Sequence, residues 1–347
     1  MADTTAPIIN LKEETPDDLA LVSRMKEGRD RIIRELKKVI VGQDDVIEEV
    51  LIALFSGGHC LITGVPGLAK TLLIKTIAEI TQLHFNRIQF TPDLMPADVI
   101  GTEVIEEDPL TGRRRLKFVK GPIFTNILLA DEINRTPPKT QSALLEAMEE
   151  QQVTAAGNTH TLEPPFFVLA TQNPIELEGT YLLPEAQLDR FMFKILIDYL
   201  PPEEEIIVVN NTTQITETKV EPFLKGQDVL DFRRIALQVP VAEAVVSYAV
   251  KLVGASRPNN SNAPDFIKEW VGWGAGIRAS QNLILGGKVR ALISGRFNVS
   301  FEDIRALAHP VLRHRIIVNF HAEAERVDTT QIINMLLEAV PPPASGL

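Results

Sequence analysis

The stretch that decides the reading of this chain is His59-Cys60-Leu61-Ile62-Thr63-Gly64-Val65-Pro66-Gly67-Leu68-Ala69-Lys70-Thr71. Cys60-Leu61-Ile62 reads as a buried strand that ends at Gly64, and Leu72-Leu73-Ile74 resumes with helical periodicity. Strand, glycine-bearing loop, Lys-Thr and helix in that order are the layout of a phosphate-binding P-loop. Gly64 and Gly67 let the backbone curl, so that the loop through Val65, Pro66, Leu68 and Ala69 to Leu72 forms an anion nest. The next helix adds its positive N-terminal end. Lys70 reaches the β- and γ-phosphates, and Thr71 offers its hydroxyl to Mg²⁺. Ala69 stands where the usual pattern has glycine; alanine adopts helical angles without strain, which leaves the loop intact in this reading. The plain alternative is a glycine turn between a core strand and a core helix.

The whole chain sets bounds on what such a loop serves. Its 347 residues, 45% of them hydrophobic, suffice for one large or two medium domains. A formal net charge of −11 argues against a nucleic-acid or anionic-membrane partner. The single cysteine, Cys60, rules out an internal disulfide, suits a reducing compartment and reads as a small core residue. No apolar run approaches roughly 18 residues, and no basic region followed by an apolar segment opens the chain. A cytoplasmic protein without membrane insertion is expected. The histidines show no zinc-site spacing, and no nucleophile elbow stands out.

Outward from the loop, residues 1–18 read as a flexible arm and 19–39 as a helix. A second helix carries Val46, Ile47, Val50, Leu51 and Leu54 and stops at Gly57-Gly58. Arg87–Phe90, Ile127–Ala130, Phe166–Thr171 and Phe191–Ile197 read as strands, with a helix over 139–151 and a short one over Pro184–Arg190. This alternation predicts an α/β fold built on a parallel, three-layer sheet. Two inserts interrupt it. The first, 91–125, contains a hairpin of Thr102–Ile105 and Arg115–Val119 around the turn Asp108–Gly112; the second, 152–165, is a smaller hairpin around Ala156-Gly157-Asn158. Arg113-Arg114-Arg115 reads as a solvated tip, or else as a pore or partner contact.

Past Pro201-Pro202 the strand signals fade. Helical periodicity marks 203–209, 229–237, 241–253, 280–293, 301–312 and 330–340, and Ser300-Phe-Glu-Asp303 is a helix-start signal. The expected organisation is an arm (1–18), an α/β core (19–200), a helical lid (201–340) and a tail (341–347).

Asp131-Glu132 closes a buried strand downstream of the P-loop. At the carboxyl end of a parallel strand both acids open into the nucleotide crevice. Asp131 then holds Mg²⁺ through water, and Glu132 orients or deprotonates the attacking water. Asn173 follows the next buried strand and falls between Glu132 and the γ-phosphate; the alternative is a turn-former before Pro174. Arg190, in Leu188-Asp189-Arg190-Phe191, suits the charge on a transferred phosphoryl group. Facing a neighbouring subunit it is an arginine finger; otherwise it pairs with Asp189 or Glu185. Arg135 is a second candidate for that cross-subunit role. Gly274-Ala275-Gly276-Ile277-Arg278 opens a helix and brings Arg278 over the γ-phosphate from the far side.

Taken together, these residues resemble the AAA+ ATPases, and more narrowly the MoxR group, over roughly 30–340. Gly64-x₄-Ala69-Lys70-Thr71 resembles that group's Walker A variant, and Ile127–Glu132 resembles Walker B. Asn173 is similar to sensor 1, Arg190 to the arginine finger, Arg278 to sensor 2, and Val41-Gly42-Gln43 to the segment lining the adenine pocket. The first insert resembles a helix-2 insert and the second the hairpin before sensor 1. Gly276-Ile277 departs from the family's Ser-Pro, whose proline presets the first helical turn. The resemblance implies a P-loop core with a helical lid, ATP/ADP and Mg²⁺, and nucleotide bound between subunits of a hexameric ring. It also implies chaperone-like remodelling or maturation of partner proteins, von Willebrand factor A proteins among them. Their Asp-x-Ser-x-Ser motif is absent from this chain, so such a partner is a separate protein. Two other classes stay open at this point: a nucleotide-gated binding module with negligible hydrolysis, and a nucleic-acid motor supported only by Arg113–Arg115.

Overall fold

The computed structural model describes residues 16–65, 67–107, 114–155, 157–173, 180–213 and 219–343. Of the expected arm over 1–18, residues 1–15 lie outside the described residues, as do Pro66, the hairpin turn with Arg113, Ala156, Pro174 and the last four residues, whereas 16–18 are the start of a helix and not arm. Helices α1 (Pro16–Leu36) and α2 (Asp44–Ser56) lead into β1 (Cys60–Gly64) and α3 (Lys70–Ile80). The chain continues through β2 (Phe85–Gln89), α4 (Pro96–Ile100), β3 (Gly101–Glu107), β4 (Arg114–Lys120), β5 (Ile127–Asp131) and α5 (Pro138–Glu150). Then come β6 (Gln152–Ala155), β7 (Asn158–Thr161), β8 (Phe167–Gln172), α6 (Glu185–Leu188) and β9 (Phe193–Ile197). The first helix ends at Leu36, short of the expected residue 39. Gly42 and Gln43 are both left-handed (φ 66° and 58°) and swing the chain into α2.

The central sheet has the order β2-β5-β8-β1-β9, with every pair parallel. Its apolar runs are continuous because both faces are covered. Ile62, Ile127, Leu129 and Leu169 face a core shared with α2 and α3. Leu61, Leu128, Ala130 and Val168 face a second core containing Leu144 and Leu145 of α5. The expected three layers are therefore present. Parallel pairing has a functional consequence: the carboxyl ends of β1, β2, β5 and β8 gather along one edge.

Both inserts form the expected antiparallel hairpins, pairing Gly101–Glu107 with Arg114–Lys120 and Gln152–Ala155 with Asn158–Thr161. Phe118 stacks on His160 at 4.2 Å and joins one hairpin to the other. Arg115 is cross-strand paired with Glu106 (3.1 Å) and Arg114 with Glu107 (3.3 Å), so these two arginines belong to the strand and not to a free tip.

The rest of the chain comprises α7 (Pro202–Thr212), α8 (Gly226–Gln238), α9 (Glu243–Ala255), α10 (Asp265–Trp270), β10 (Val271–Trp273), α11 (Ile277–Ile293), α12 (Phe301–Ala306), α13 (Ala308–Leu312), β11 (Ile317–Val318), α14 (Phe320–Glu325) and α15 (Thr329–Ala339). Two expectations need correction. The stretch 301–312 is two helices, because Pro310 has no N–H to donate and its ring excludes the carbonyl of Ala306. The region is also not purely helical: β10 pairs antiparallel with β11, in strands too short to show a period. The Ser300 start is as expected. Its hydroxyl accepts from the Asp303 N–H (3.3 Å), and the Asp303 carboxylate accepts from the Ser300 N–H (2.8 Å). Buried apolar contacts of α8 and α11 with α1 and α2 make one core running from Met25 to Leu337. Among the described residues no single helix is long and apolar enough to cross a membrane.

Candidate active site

At the carboxyl edge of the sheet lies a cavity of about 460 Å³. Lys70, Thr71, Asp131, Glu132 and Asn173 all line it, together with Gly64, Gly67, Leu68, Ala69 and Leu72; Val65 does not. The loop's glycines serve for two different reasons. Gly64 has no unusual φ; a Cβ there would run into the carbonyl oxygen of Ile197 on β9. Its role is close strand packing, which corrects the expectation that it lets the loop curl. Gly67, with φ 88° and open space around it, supplies the curl. Ala69 is left-handed (φ 54°, ψ 20°), not helical as expected. An L-residue held there costs about 1–2 kcal/mol.

Lys70 Nζ donates to the Gly64 carbonyl at 2.5 Å, across the space a phosphate would fill. Burial pushes the Lys70 pKa down, while Asp131 and Glu132 pull it back up. The acids are tied together by Thr171. Its hydroxyl donates to Asp131 Oδ1 (2.6 Å) and accepts from the Glu132 N–H (2.9 Å). Arg87 donates to Asp131 Oδ2 from Nη2 (2.6 Å) and Nε (3.1 Å). Glu132 Oε2 accepts from Gln89 Nε2 (2.8 Å) and Arg135 Nη1 (3.0 Å). Arg135 is thus engaged with an acid of its own chain. Glu132 is itself left-handed (φ 56°) at the start of a 3₁₀ turn, which lifts its carboxylate out of the line of β5. Asn173 is 8% exposed, at the cavity wall.

Thr71 and Asp131 present oxygens to the same cavity, a hard donor set that fits Mg²⁺. Among the described residues no cluster of three or more ligating side chains exists. A Mg²⁺ here therefore depends on water and phosphate oxygens for the rest of its shell. Gln43 Nε2 reaches the Leu68 carbonyl at 3.4 Å, so the Val41-Gly42-Gln43 segment abuts the loop between β1 and α3. The Glu204 side chain lies against Gly42.

Arg87, Gln89 and Thr171 are the residues that sequence reasoning missed. A signal for two of them exists: Arg87 and Gln89 alternate with buried Ile88, so they share a face. Only the register Gln89↔Asp131 shows that this face borders the acids.

Arg190 and Arg278 are elsewhere. They meet at a second cavity, of about 310 Å³, which Gly58 and His59 also line. Arg190 Nη2 pairs with Glu149 Oε2 (2.9 Å), Arg278 Nη2 with Glu149 Oε1 (2.5 Å), and Arg278 Nη1 lies 3.7 Å from Asp189. His59 precedes β1 and Gly64 ends it, and five strand residues separate the two cavities by about 16 Å. Arg278 therefore does not lie over the phosphate loop of its own chain, contrary to expectation. Buried Arg315 fixes the backbone around Arg190, donating to Asp189 Oδ1 (2.7 Å) and to the carbonyls of Asp189, Phe191 and Met192.

A family model described as the ATPase family associated with various cellular activities (AAA) matches residues 59–193. A model described as an AAA lid domain matches 267–336. The chain is similar to chaperone MoxR1 of Mycobacterium tuberculosis, at 43% identity covering 90% of this chain and 81% of that one. It is similar to protein MoxR of Methylorubrum extorquens, at 30% identity over 93% of this chain and 98% of that one. A crystal structure of a candidate ATPase from Cytophaga hutchinsonii superposes with a TM-score of 0.86, at 43% identity over 93% of this chain and 97% of that one.

Proposed function

This chain belongs to the MoxR-type AAA+ ATPases, and from that premise we propose that it hydrolyses ATP at interfaces between its own copies and uses the reaction to remodel partner proteins. The fold is a P-loop α/β core with a helical lid. One observation carries the inter-subunit part of the proposal: the cavity with Lys70, Asp131 and Glu132 and the cavity with Arg190 and Arg278 lie at opposite ends of β1. No lid movement carries Arg190 around the sheet, because β9 anchors it. A second copy can supply it.

In this reading the backbone of the loop and Lys70 bind the phosphates, with Val41–Gln43 against the base. Lys70 leaves the Gly64 carbonyl to do so. Thr71 and Asp131 would hold Mg²⁺, which when bound would offset phosphate charge. Arg87 must then release Asp131. Glu132, steadied by Gln89, orients the water and accepts its proton, and Asn173 holds the same water. Arg190 and Arg278 of the neighbouring copy neutralise charge on the transferred phosphoryl group. A hexameric ring, a cytoplasmic location and a von Willebrand factor A client belong to the proposal. So does the division into a core over 19–200 and a lid over 201–340. The chaperone role rests on the similarity to MoxR1.

The test is a mixing experiment. Lys70→Ala keeps the arginines and loses its own site; Arg190→Ala keeps the site and loses the finger. Each alone is expected to be nearly inactive, and an equimolar mixture is expected to regain activity. The wild-type rate per protomer is expected to rise with protein concentration. An inactive mixture, with a wild-type rate independent of concentration, overturns the inter-subunit reading.

A further inference from the structure

We propose that Glu149 is a positioning residue whose carboxylate holds Arg190 and Arg278 side by side, so that the pair meets one phosphate group of a neighbouring copy as a unit. The inference rests on the reading of Arg190 and Arg278 given above. Glu149 lies near the end of α5, and each of its oxygens accepts from a different arginine, at 2.9 Å and 2.5 Å. The two guanidiniums come from separate parts of the chain. Arg190 stands just before β9 in the core, and Arg278 is the second residue of α11 in the lid. Like charges brought this close repel, and a shared carboxylate is what keeps them adjacent.

Asp189, the other acid here, does not do this work. It is engaged by buried Arg315 at 2.7 Å and lies 3.7 Å from Arg278. Arg315 holds the backbone on both sides of Arg190, so the base of that side chain is fixed and its tip is not. Glu149 sets the tip. Its side chain is 35% exposed, beside an open cavity, which suits a partner that must exchange. Among the described residues, three arginines against two acids leave the cluster one positive charge in excess. A terminal phosphate offers more charge and more acceptor oxygens than a carboxylate, so it takes over the bonds that Glu149 pre-arranges. Without Glu149 the tips of these arginine side chains, which are 30% and 42% exposed, regain rotamer freedom and lose their common geometry. Because Glu149 is on the core and Arg278 on the lid, the same clasp makes the pair sensitive to lid position.

The experiment compares wild type, Glu149→Gln, Arg190→Ala, Arg278→Ala and the Glu149→Gln/Arg190→Ala double variant, by steady-state and single-turnover hydrolysis of Mg·ATP at saturating protein. Glu149→Gln removes the charge from a half-exposed side chain and is expected to fold, which a thermal melt checks. Its kcat is expected to fall roughly 10–100-fold, the cost of misplacing a catalytic group by about 1 Å. KM for ATP is expected to hold within about twofold, since the phosphate loop is untouched. In the Arg190→Ala background the same change is expected to cost little more. A merely structural role for Glu149 gives the same fold loss in both backgrounds, and that result overturns the inference, as does an unchanged kcat in Glu149→Gln. If Arg190→Ala and Arg278→Ala both hydrolyse at the wild-type rate, the parent reading fails first and the inference goes with it.

Discussion

Replacing Glu132 by Gln is expected to separate chemistry from stability. The side chain is held by Gln89 Nε2 at 2.8 Å and Arg135 Nη1 at 3.0 Å, and an amide oxygen can keep accepting from Gln89. The loss is the charge. The Glu132–Arg135 pair has side chains 22% and 40% exposed, so breaking it costs at most about 1 kcal/mol. The left-handed backbone at Glu132 is the same for glutamine. The fall in melting temperature is therefore expected to be no more than roughly 2–4 °C. A positioned general base is worth roughly 10²–10⁴ in rate. At 1.36 kcal/mol per decade that is about 3–5 kcal/mol of activation free energy. The rate effect thus exceeds the stability effect several-fold. Steady-state phosphate release gives kcat, titration with a fluorescent ATP analogue gives affinity, and a thermal melt gives stability. The expected variant binds ATP as wild type does, melts within the stated range and turns over at least about a hundredfold more slowly. Wild-type turnover would falsify the assignment of Glu132. A parallel loss of affinity and turnover would assign it to nucleotide binding instead.

Arg87→Met removes the partner that Asp131 holds at 2.6 Å. Since Arg87 is 47% exposed, the pair is worth under about 1 kcal/mol, and the Mg²⁺ concentration for half-maximal hydrolysis is expected to fall by up to about fivefold. An unchanged Mg²⁺ titration would show that the two cations do not compete. Gly64→Ala pushes a methyl into the Ile197 carbonyl and is expected to cost about 1–3 kcal/mol, read as a lower melting temperature together with weaker ATP binding. A melt identical to wild type would mean that β1 and β9 separate without penalty. Burial pushes the Glu49 carboxyl up from 4.5 to about 7, with Arg313 opposing and Asp45 and Glu48 adding to the rise. The unfolded chain releases this proton at lower pH than the folded one. The contribution is therefore complete below about pH 4.5 and lost as the pH climbs through about 7, amounting to roughly 3 kcal/mol. Glu49→Gln is expected to melt higher than wild type at pH 8 and no higher near pH 4. Melting curves that keep the same separation at both pH values would place the titration elsewhere.

Much of the architecture was legible because the relevant signals are local. The apolar runs at 60–62, 127–130 and 167–170 are short and unbroken, as strands covered on both faces must be, and all lie in the parallel sheet. The hairpins of the two inserts followed from a turn flanked by strand-forming residues. What was not legible depended on single torsions or on distant neighbours. Alanine favours the helical region, which is what the sequence predicts for Ala69, yet the turn from β1 into α3 requires φ 54°. Gly64 reads in the sequence as a residue that lets the loop curl, but the reason for it sits on β9. Arg87 and Gln89 carried a period of two and no indication of which strand lay alongside.

The sequence alone set the residue types and their order along the chain: a glycine-bearing loop with Lys70, then an acid pair, then Asn173, then two arginines. Such information is one-dimensional, written in residue type, spacing and periodicity, and it survives whatever the neighbours are. Only the tertiary structure decided how these groups divide between two places. Parallel strands put Gly64, Asp131 and Gln172 at one edge of the sheet, because every strand runs the same way. The same rule puts His59 and Arg190 at the other, beside Arg278 from the lid. No spacing in the chain encodes that separation of about 16 Å. It arises from strand direction and from the packing of the lid helices on α1 and α2, which depend on contacts between residues far apart in sequence.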